Sequence, residues 1–335
     1  MSAAEADWQS AVDLLCSYRE AVLVCHVGPD GDALGSMIGL GSALRARGTR
    51  VLASWGSEPF EVPTAYASLP ALDLLVPASQ VPPAPGLLVT LDTGDVDRLG
   101  SLAGRVEAAE QVLVVDHHAS NTRYGTANLV DPSAAATAVL VAELVDRLGV
   151  ELTAEVAAPL YTGLVTDTGS FKYAATTPSV HALAGRLLAT GIRHDLISRD
   201  IWDTAPFAYV QLLGEVAARA VLERCAVGGL GLVWTRVDAR DLERHGLGLA
   251  DVEGVIDVLR TAREAEVAVV LKHDPVDGRI KVSARSKGAV DVGAMCTALG
   301  GGGHRFAAGF TASGSAEQAL DTVRLALAAA PHLSA

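Results

Sequence analysis

The polar residues best placed for chemistry follow the first apolar run of the chain, in the segment HVGPDGDALGS at 26–36. His26 ends that run, and Asp30 and Asp32 lie in the turn before a helix-like segment. Because alternate residues of an extended turn face different ways, the two carboxylates could serve two neighbouring metal ions, with His26 joining the first. Asp is also a common helix N-cap after a strand, so this segment alone leaves both interpretations open.

Three further segments lead into acidic residues or histidines. The run LLVTLD leads into Asp92, and the run QVLVVD leads into Asp116, His117 and His118. A helical pattern at 153–166 leads into Asp167. Taken singly, Asp92 and Asp116 could cap helices, and His117 could be a buried core histidine. Ligands of open α/β sheets bind at the carboxyl ends of strands, however, so we expect these groups to converge.

Such a cluster of carboxylates is costly without cations, because neighbouring carboxylates raise each other's pKa. Two divalent ions would balance the negative charges of Asp30, Asp32, Asp92 and Asp167. Carboxylate and imidazole ligands without thiolate suit Mn²⁺, or Co²⁺, Fe²⁺ or Mg²⁺ in its place, rather than structural zinc. Two ions roughly 3.5–4 Å apart can share a hydroxide that attacks phosphorus in line. The residues therefore predict phosphoester hydrolysis, with Asp92, His117 and His118 at its centre.

Two residues are expected to act beside the ligands rather than among them. His118 is predicted to contact phosphate or support the ligands, in preference to binding a metal itself. Asp116 is predicted to orient the histidines that follow it, as carboxylates behind metal-bound imidazoles do.

The C-terminal half carries a basic strand and a glycine cluster. The period of two places one set of side chains of RIKVSARSK on a single face: Arg279, Lys281, Ser283, Arg285 and Lys287. For Arg279 and Lys281, an ordinary solvated face is an equal alternative. The segment GGGGH at 300–304 offers backbone N–H groups without side chains, which suits phosphate, although a plain loop would have the same sequence.

Strand and helix patterns alternate in the first half of the chain. Buried parallel strands are predicted at 21–26, 51–55, 87–92 and 111–116, and helices at 33–47, 134–148 and 153–166. This alternation predicts the α/β class, with an N-terminal parallel sheet covered by helices on both faces.

The second half predicts a smaller α/β domain. After a helical stretch at 178–224, the patterns predict a strand at 228–237, a helix at 251–263, a hairpin at 267–285 and a closing helix at 315–330. We predict domains at 1–195 and 216–335, joined by a connector at 196–215.

Composition limits the classes of partner. The chain has 335 residues, of which half are hydrophobic, and its net charge of −13 argues against gripping long duplex nucleic acid. Residues 1–204 hold 12 Lys and Arg against 24 Asp and Glu, and residues 205–335 hold 14 against 15. Four scattered cysteines, no signal-peptide pattern and no long apolar run predict a cytoplasmic protein without membrane partners.

Six ordered motifs resemble the DHH phosphoesterases, a family named for the Asp-His-His found here at 116–118. HVGPDGDALGS, VTLDTGD, VVDHHASN and GLVTDTGSF match its N-terminal motifs, and VSARSKG with GGGGHRFAAG resembles its DHH-associated C-terminal domain. The resemblance implies an active site in the cleft between the two domains and a homodimer.

The resemblance also implies the ligand sets. His26, Asp30 and Asp92 would bind one Mn²⁺, and the other would be bound by Asp32, Asp92, His117 and Asp167, with Asp92 bridging. The substrate contacts that the resemblance implies are Arg285, Ser286, Gly302, Gly303 and His304, in addition to the contact predicted above for His118.

Length and domain content favour the stand-alone type of the family, which hydrolyses short oligoribonucleotides (nanoRNA), pAp to AMP, and in several lineages cyclic di-AMP or its linear product pApA. A family II inorganic pyrophosphatase is the nearest enzyme alternative, although its C-terminal domain differs. A non-catalytic nucleotide sensor that retains the fold is the alternative from another class.

Overall fold

The computed structural model describes residues 3–333, which divide into two compact units between Thr204 and Ala205. The division falls inside the segment 196–215 that was predicted as a connector, and most of that segment is helical. None of the helices within the described residues is both long and apolar enough to cross a membrane.

The first unit alternates strands and helices. Its elements are α1 (Glu5–Ser17), β1 (Glu20–Cys25), α2 (Gly31–Ala46), β2 (Arg50–Trp55), β3 (Leu87–Leu91), α3 (Gly104–Ala108), β4 (Gln111–Asp116), β5 (Ala127–Val130), α4 (Thr137–Arg147), α5 (Ala154–Asp167), α6 (Pro178–Ala189) and α7 (His194–Trp202). The five strands are parallel in the order β2-β1-β3-β4-β5. The predicted parallel sheet is therefore confirmed, with β5 as an additional strand.

Both faces of this sheet are apolar and covered. Leu23, Val89 and Leu113 belong to the larger core cluster, which also takes in α2, α4 and α5. The opposite face is covered by the short helix α3 and by the 3₁₀ segment Val96–Leu102. The predicted helices on both faces are present, although one layer consists only of short helical segments.

The second unit has a six-stranded mixed sheet in the order β10-β11-β9-β8-β7-β6. Its elements are α8 (Phe207–Ala218), β6 (Val221–Glu223), β7 (Leu232–Val237), α9 (Ala239–His245), α10 (Val255–Leu259), β8 (Val267–His273), β9 (Ile280–Ser286), α11 (Val292–Ala298), β10 (Gly302–His304), β11 (Ala307–Ala312) and α12 (Ala316–Ala329). The predicted hairpin is the antiparallel pair β8–β9. The predicted helix at 251–263 is shorter, and α9 was not predicted.

Candidate metal centre

Polar side chains gather at the carboxyl ends of three adjacent strands. His26 follows β1, Asp92 follows β3, and Asp116 ends β4 just before His117. The start of α2 and the end of α5 bring further carboxylates to the same edge of the sheet. All of these groups belong to the first unit.

The first cluster is built around His26. Its Nε2 lies 3.8 Å from Asp30 Oδ2 and 3.7 Å from Asp92 Oδ2. Its Nδ1–H donates to the Val27 carbonyl at 3.0 Å, which directs Nε2 toward the carboxylates. Asp30 also caps α2, because its Oδ1 accepts the N–H groups of Asp32 at 3.1 Å and Ala33 at 3.0 Å. The Asp30 carboxylate therefore caps α2 and also lies beside His26, so the helix-cap and metal-ligand interpretations of this segment do not exclude each other.

The second cluster is built around His117. Its Nε2 lies 3.9 Å from Asp32 Oδ2, 3.5 Å from Asp92 Oδ1 and 3.1 Å from Asp167 Oδ2. Its Nδ1–H donates to the Ala134 carbonyl at 3.1 Å. Asp92 therefore directs Oδ1 toward this cluster and Oδ2 toward the first.

The donor chemistry of both clusters fits a divalent cation. In each group, His26–Asp30–Asp92 and Asp32–Asp92–His117, the ligand atoms lie within 4.8 Å of one another. Backbone carbonyls hold both imidazoles in the tautomer that directs Nε2 toward the carboxylates, which is the usual support of metal-binding histidines. The set contains nitrogen and oxygen atoms and no sulfur, which favours ions of the Mn²⁺ or Mg²⁺ type.

Buried charges shift the pKa of several groups in the two clusters. Burial disfavours the imidazolium of His26, but the nearby carboxylates of Asp30 and Asp92 outweigh this and raise its pKa to about 10. Burial together with the charges of Asp92 and Asp167 raises the pKa of Asp32 well above its ordinary value. In the absence of cations the clusters hold protons, because the carboxylates need compensating charge.

Asp116 positions His118 and not His117. Asp116 Oδ1 accepts the Nδ1–H of His118 at 2.7 Å, while Asn121 Nδ2 donates to Asp116 Oδ2 at 2.6 Å. His118 Nδ1 also lies 3.7 Å from Asp92 Oδ1. The predicted task of Asp116 thus applies to one of the two histidines, since His117 is held by a backbone carbonyl.

The second unit holds the other residues singled out from the sequence. Arg285 is partly buried on β9, and its Nη1 donates to the Ala284 carbonyl at 3.1 Å. Ser286 is 2% exposed, and its hydroxyl donates to Glu266 Oε1 at 2.8 Å. The same hydroxyl accepts the N–H groups of Gly288 and Val290, so it organises the turn after β9.

Only the end of the glycine cluster forms a strand, and Gly300 and Gly301 lie before it. Gly302, Gly303 and His304 constitute β10, which pairs with β11. Gly303 has φ of 134°, and a Cβ there would lie 2.6 Å from the Ala307 carbonyl oxygen. Gly302 has open space where a Cβ would lie, and His304 is exposed.

Comparisons with known proteins agree with this architecture. Residues 20–164 match the DHH family N-terminal domain, and residues 239–329 match the DHHA1 domain. The chain is 37% identical to the bifunctional oligoribonuclease and PAP phosphatase NrnA of Thermus thermophilus, over 93% of this chain and 91% of that protein. The chain belongs to the DHH family.

Two further proteins extend the comparison. NrnA of Bacillus subtilis is 27% identical to this DHH-family chain, over 87% of the chain and 89% of that protein. A crystal structure of an exopolyphosphatase-related protein from Bacteroides fragilis covers 97% of this chain and 96% of its own, with a TM-score of 0.85 and 22% identity. That likeness concerns the fold.

Sequence reasoning missed the residues that hold the DHH carboxylates in place. Thr137, at the start of α4, donates its backbone N–H to Asp32 Oδ2 at 2.6 Å and its hydroxyl to Asp92 Oδ1 at 2.9 Å. Ser36 donates to Asp32 Oδ1 at 3.0 Å. Asn121 could have been found from the sequence, because it is a polar residue inside the motif VVDHHASN. Thr137 lies in an apolar helical pattern 45 residues after Asp92 and gave no such signal.

Proposed function

We propose that this chain is a divalent-metal-dependent phosphoesterase that hydrolyses short oligoribonucleotides such as pApA and removes the 3′-phosphate of pAp. One observation carries the proposal: Asp92 directs its two oxygens toward two different imidazoles, with Oδ2 at 3.7 Å from His26 Nε2 and Oδ1 at 3.5 Å from His117 Nε2. This arrangement supports a carboxylate shared by two Mn²⁺ ions. The names of the relatives from Thermus thermophilus and Bacillus subtilis support the substrate class.

The ligands in this proposal form two overlapping sets. His26, Asp30 and Asp92 would hold one ion, and Asp32, Asp92, His117 and Asp167 the other. When bound, two such ions lower the pKa of water and offset charge on a phosphoryl group. His118, held through Nδ1 by Asp116, donates from Nε2 to a phosphate oxygen of the substrate.

Substrate binding also uses the second unit. We assign nucleotide contacts to Arg285 and His304, and close approach of substrate to the backbone at Gly302 and Gly303. The net charge of −13 supports short substrates, because a few cationic groups suffice for two to five nucleotides. The proposal includes a homodimer, which light scattering coupled to gel filtration tests directly.

A turnover panel with Mn²⁺ tests the proposal. Values of kcat/KM are compared for pApA, pAp, longer oligoribonucleotides, cyclic di-AMP and pyrophosphate, and we expect pApA and pAp to lead. Turnover of pyrophosphate alone would favour the pyrophosphatase alternative, which the DHHA1 match at 239–329 already disfavours. Nucleotide binding without turnover of any substrate would favour a sensor.

A pair of matched variants tests whether the turnover measured in the panel depends on the metal centre. Asp92→Asn should lower kcat by about 1,000-fold or more, because the shared ligand loses its charge. Asp73→Asn is the control, since Asp73 is exposed and paired with Arg45. Full activity in the Asp92→Asn variant would refute the shared-ligand role.

A further inference from the structure

Arg98 is held next to the first ligand cluster by its backbone. It lies in the 3₁₀ segment Val96–Leu102, which follows Asp92 along the chain. Its carbonyl accepts the N–H of Val27 at 2.8 Å, so its backbone adjoins the residue after His26. Leu99 and Leu102 anchor the segment, since both are buried against the sheet. The base of the Arg98 side chain is therefore fixed in position.

Arg98 is an exposed residue. Among the hydrogen bonds and ion pairs recorded for residues 3–333, its guanidinium takes part in none. By contrast, Arg45 pairs with two carboxylates. The charge of Arg98 nevertheless acts on His26, where it opposes the effect of the neighbouring carboxylates.

The charge of the site determines which kind of phosphate group the guanidinium of Arg98 would favour. Two divalent ions would balance the four carboxylates of the two clusters, so a bound phosphate would bring uncompensated charge. A terminal phosphomonoester carries about −1.5 to −2 at neutral pH, and an internal phosphodiester carries one negative charge. The first unit as a whole is acidic, because it holds 12 Lys and Arg against 24 Asp and Glu.

We propose that Arg98 binds the phosphoryl group next to the first ligand cluster and favours a terminal phosphomonoester over an internal phosphodiester. Arg98 is then a specificity residue for pAp relative to pApA. The inference rests on the proposed function, because it assumes that phosphate esters bind at this centre. A guanidinium suits the task, since its fork of N–H donors matches two oxygens of a terminal phosphate.

The test compares Arg98→Ala, Arg98→Lys and the wild type with Mn²⁺ at about pH 8, where a phosphomonoester is a dianion. Arg98→Ala should lower kcat/KM about 10- to 100-fold for pAp and less than about 3-fold for pApA. Arg98→Lys should recover part of the loss for pAp. Arg50→Ala is the control, because Arg50 starts β2 and pairs with Glu20 at 3.2 Å. Equal effects of Arg98→Ala on both substrates, or no loss with pAp, would overturn the proposal.

A binding measurement separates this proposal from the proposed function. Inorganic phosphate is titrated calorimetrically into the Mn²⁺-loaded wild type and Arg98→Ala variant, with metal content measured in both. We expect affinity to fall at least about 5-fold in the variant at equal metal content. Unchanged affinity would overturn the assignment of Arg98 even if the wild type hydrolyses both substrates. If the wild type hydrolyses neither substrate, the proposed function is refuted. The phosphate titration would still test whether Arg98 binds phosphate.

Discussion

At the scale of single residues, the centre depends on carboxylates whose oxygens are divided between partners. Asp32 is fully buried, and its two oxygens accept N–H groups from Thr137 and Ala138 at the start of α4. Those N–H groups have no partner within their own helix, so Asp32 and the helix start satisfy each other. Asp92 is divided in the same way between two imidazoles. Carboxylates that lie this close together raise the pKa of neighbouring groups, which therefore hold protons. A bound cation replaces those protons.

The affinity for Mn²⁺ should therefore rise with pH between about pH 6 and pH 9. Without metal, His26 has a pKa of about 10 and carries a proton that a metal ion must displace. This displacement becomes easier as the proton concentration falls. Calorimetric titration of the metal-free protein at several pH values measures the effect, and an affinity that does not change with pH would contradict it.

The same pKa shift sets the sign of a stability change. Because the pKa of His26 is higher in the folded protein than in the unfolded chain, its contribution is complete below about pH 6.5 and is lost as pH rises through about 10. The metal-free protein should thus lose Tm relative to the Mn²⁺-loaded protein as pH rises over this range. The Tm difference between the two forms, followed by scanning calorimetry, should widen. A constant difference would contradict this sign.

Thr137 offers a test of the groups behind the ligands. Its hydroxyl donates to Asp92 Oδ1 at 2.9 Å inside the core. Thr137→Val keeps the shape but removes the donor, and should lower Mn²⁺ affinity about 10- to 100-fold. Thr137→Ser keeps the hydroxyl and should stay within about 3-fold of the wild type. Equal affinity in the two variants would show that the hydroxyl does not position Asp92.

At the scale of elements, the strand ends of the centre could be predicted because each local signal was strong. Apolar runs ending at His26, Asp92 and Asp116 place polar groups at the carboxyl ends of parallel strands, and the structure brings them to one edge. The short strand β5 was missed because ANLV has too few residues for a clear period. The contact of α4 with Asp32 was also missed, because it joins residues more than 100 positions apart. Neither feature has a local pattern in the sequence.

The approach of α2 to α5 is the packing feature on which the second cluster depends. A Cβ at Gly35 of α2 would lie 2.3 Å from the Pro159 carbonyl oxygen of α5. At Gly163 of α5, a Cβ would lie 2.6 Å from Asp32 Oδ1. The two helices can therefore come close enough to bring Asp32 and Asp167 to His117 only because these positions lack side chains.

Gly35→Ala should accordingly destabilise the protein by about 1–2 kcal/mol, because the clash with backbone outweighs the usual gain of about 0.5–1 kcal/mol for Ala over Gly in a helix. Gly185→Ala in α6 is the matched control, since a Cβ there meets nothing within 4 Å. The control should be neutral or stabilised by that gain. Denaturant unfolding measures both variants. Equal stability of the two would show that α2 and α5 tolerate a wider separation.

At the scale of the whole molecule, the two units differ in net charge and in the functional residues that they contain. The first unit holds all of the proposed metal ligands and an excess of 12 acidic residues, from 24 acids and 12 bases. The second unit is nearly neutral, with 15 acids and 14 bases, and its strand β9 carries Lys281 and Arg285. Composition alone located the acidic half, but it could not show that the hydroxyl of Ser286, at the end of β9, bonds to Glu266, since that depends on the fold.

A fragment of residues 1–204 should therefore bind Mn²⁺ with an affinity within about 3-fold of that of the full chain, yet hydrolyse pApA at least about 100-fold more slowly. The fragment has its own core, which includes both faces of the parallel sheet, so it should fold alone. The complementary fragment 205–335 is the control and should not match this Mn²⁺ affinity. Calorimetry measures the binding, and the turnover assay measures the loss. If the first fragment folds but binds Mn²⁺ weakly, ligands from the second unit must complete the centre, and the assignment of the whole ligand set to the first unit is wrong.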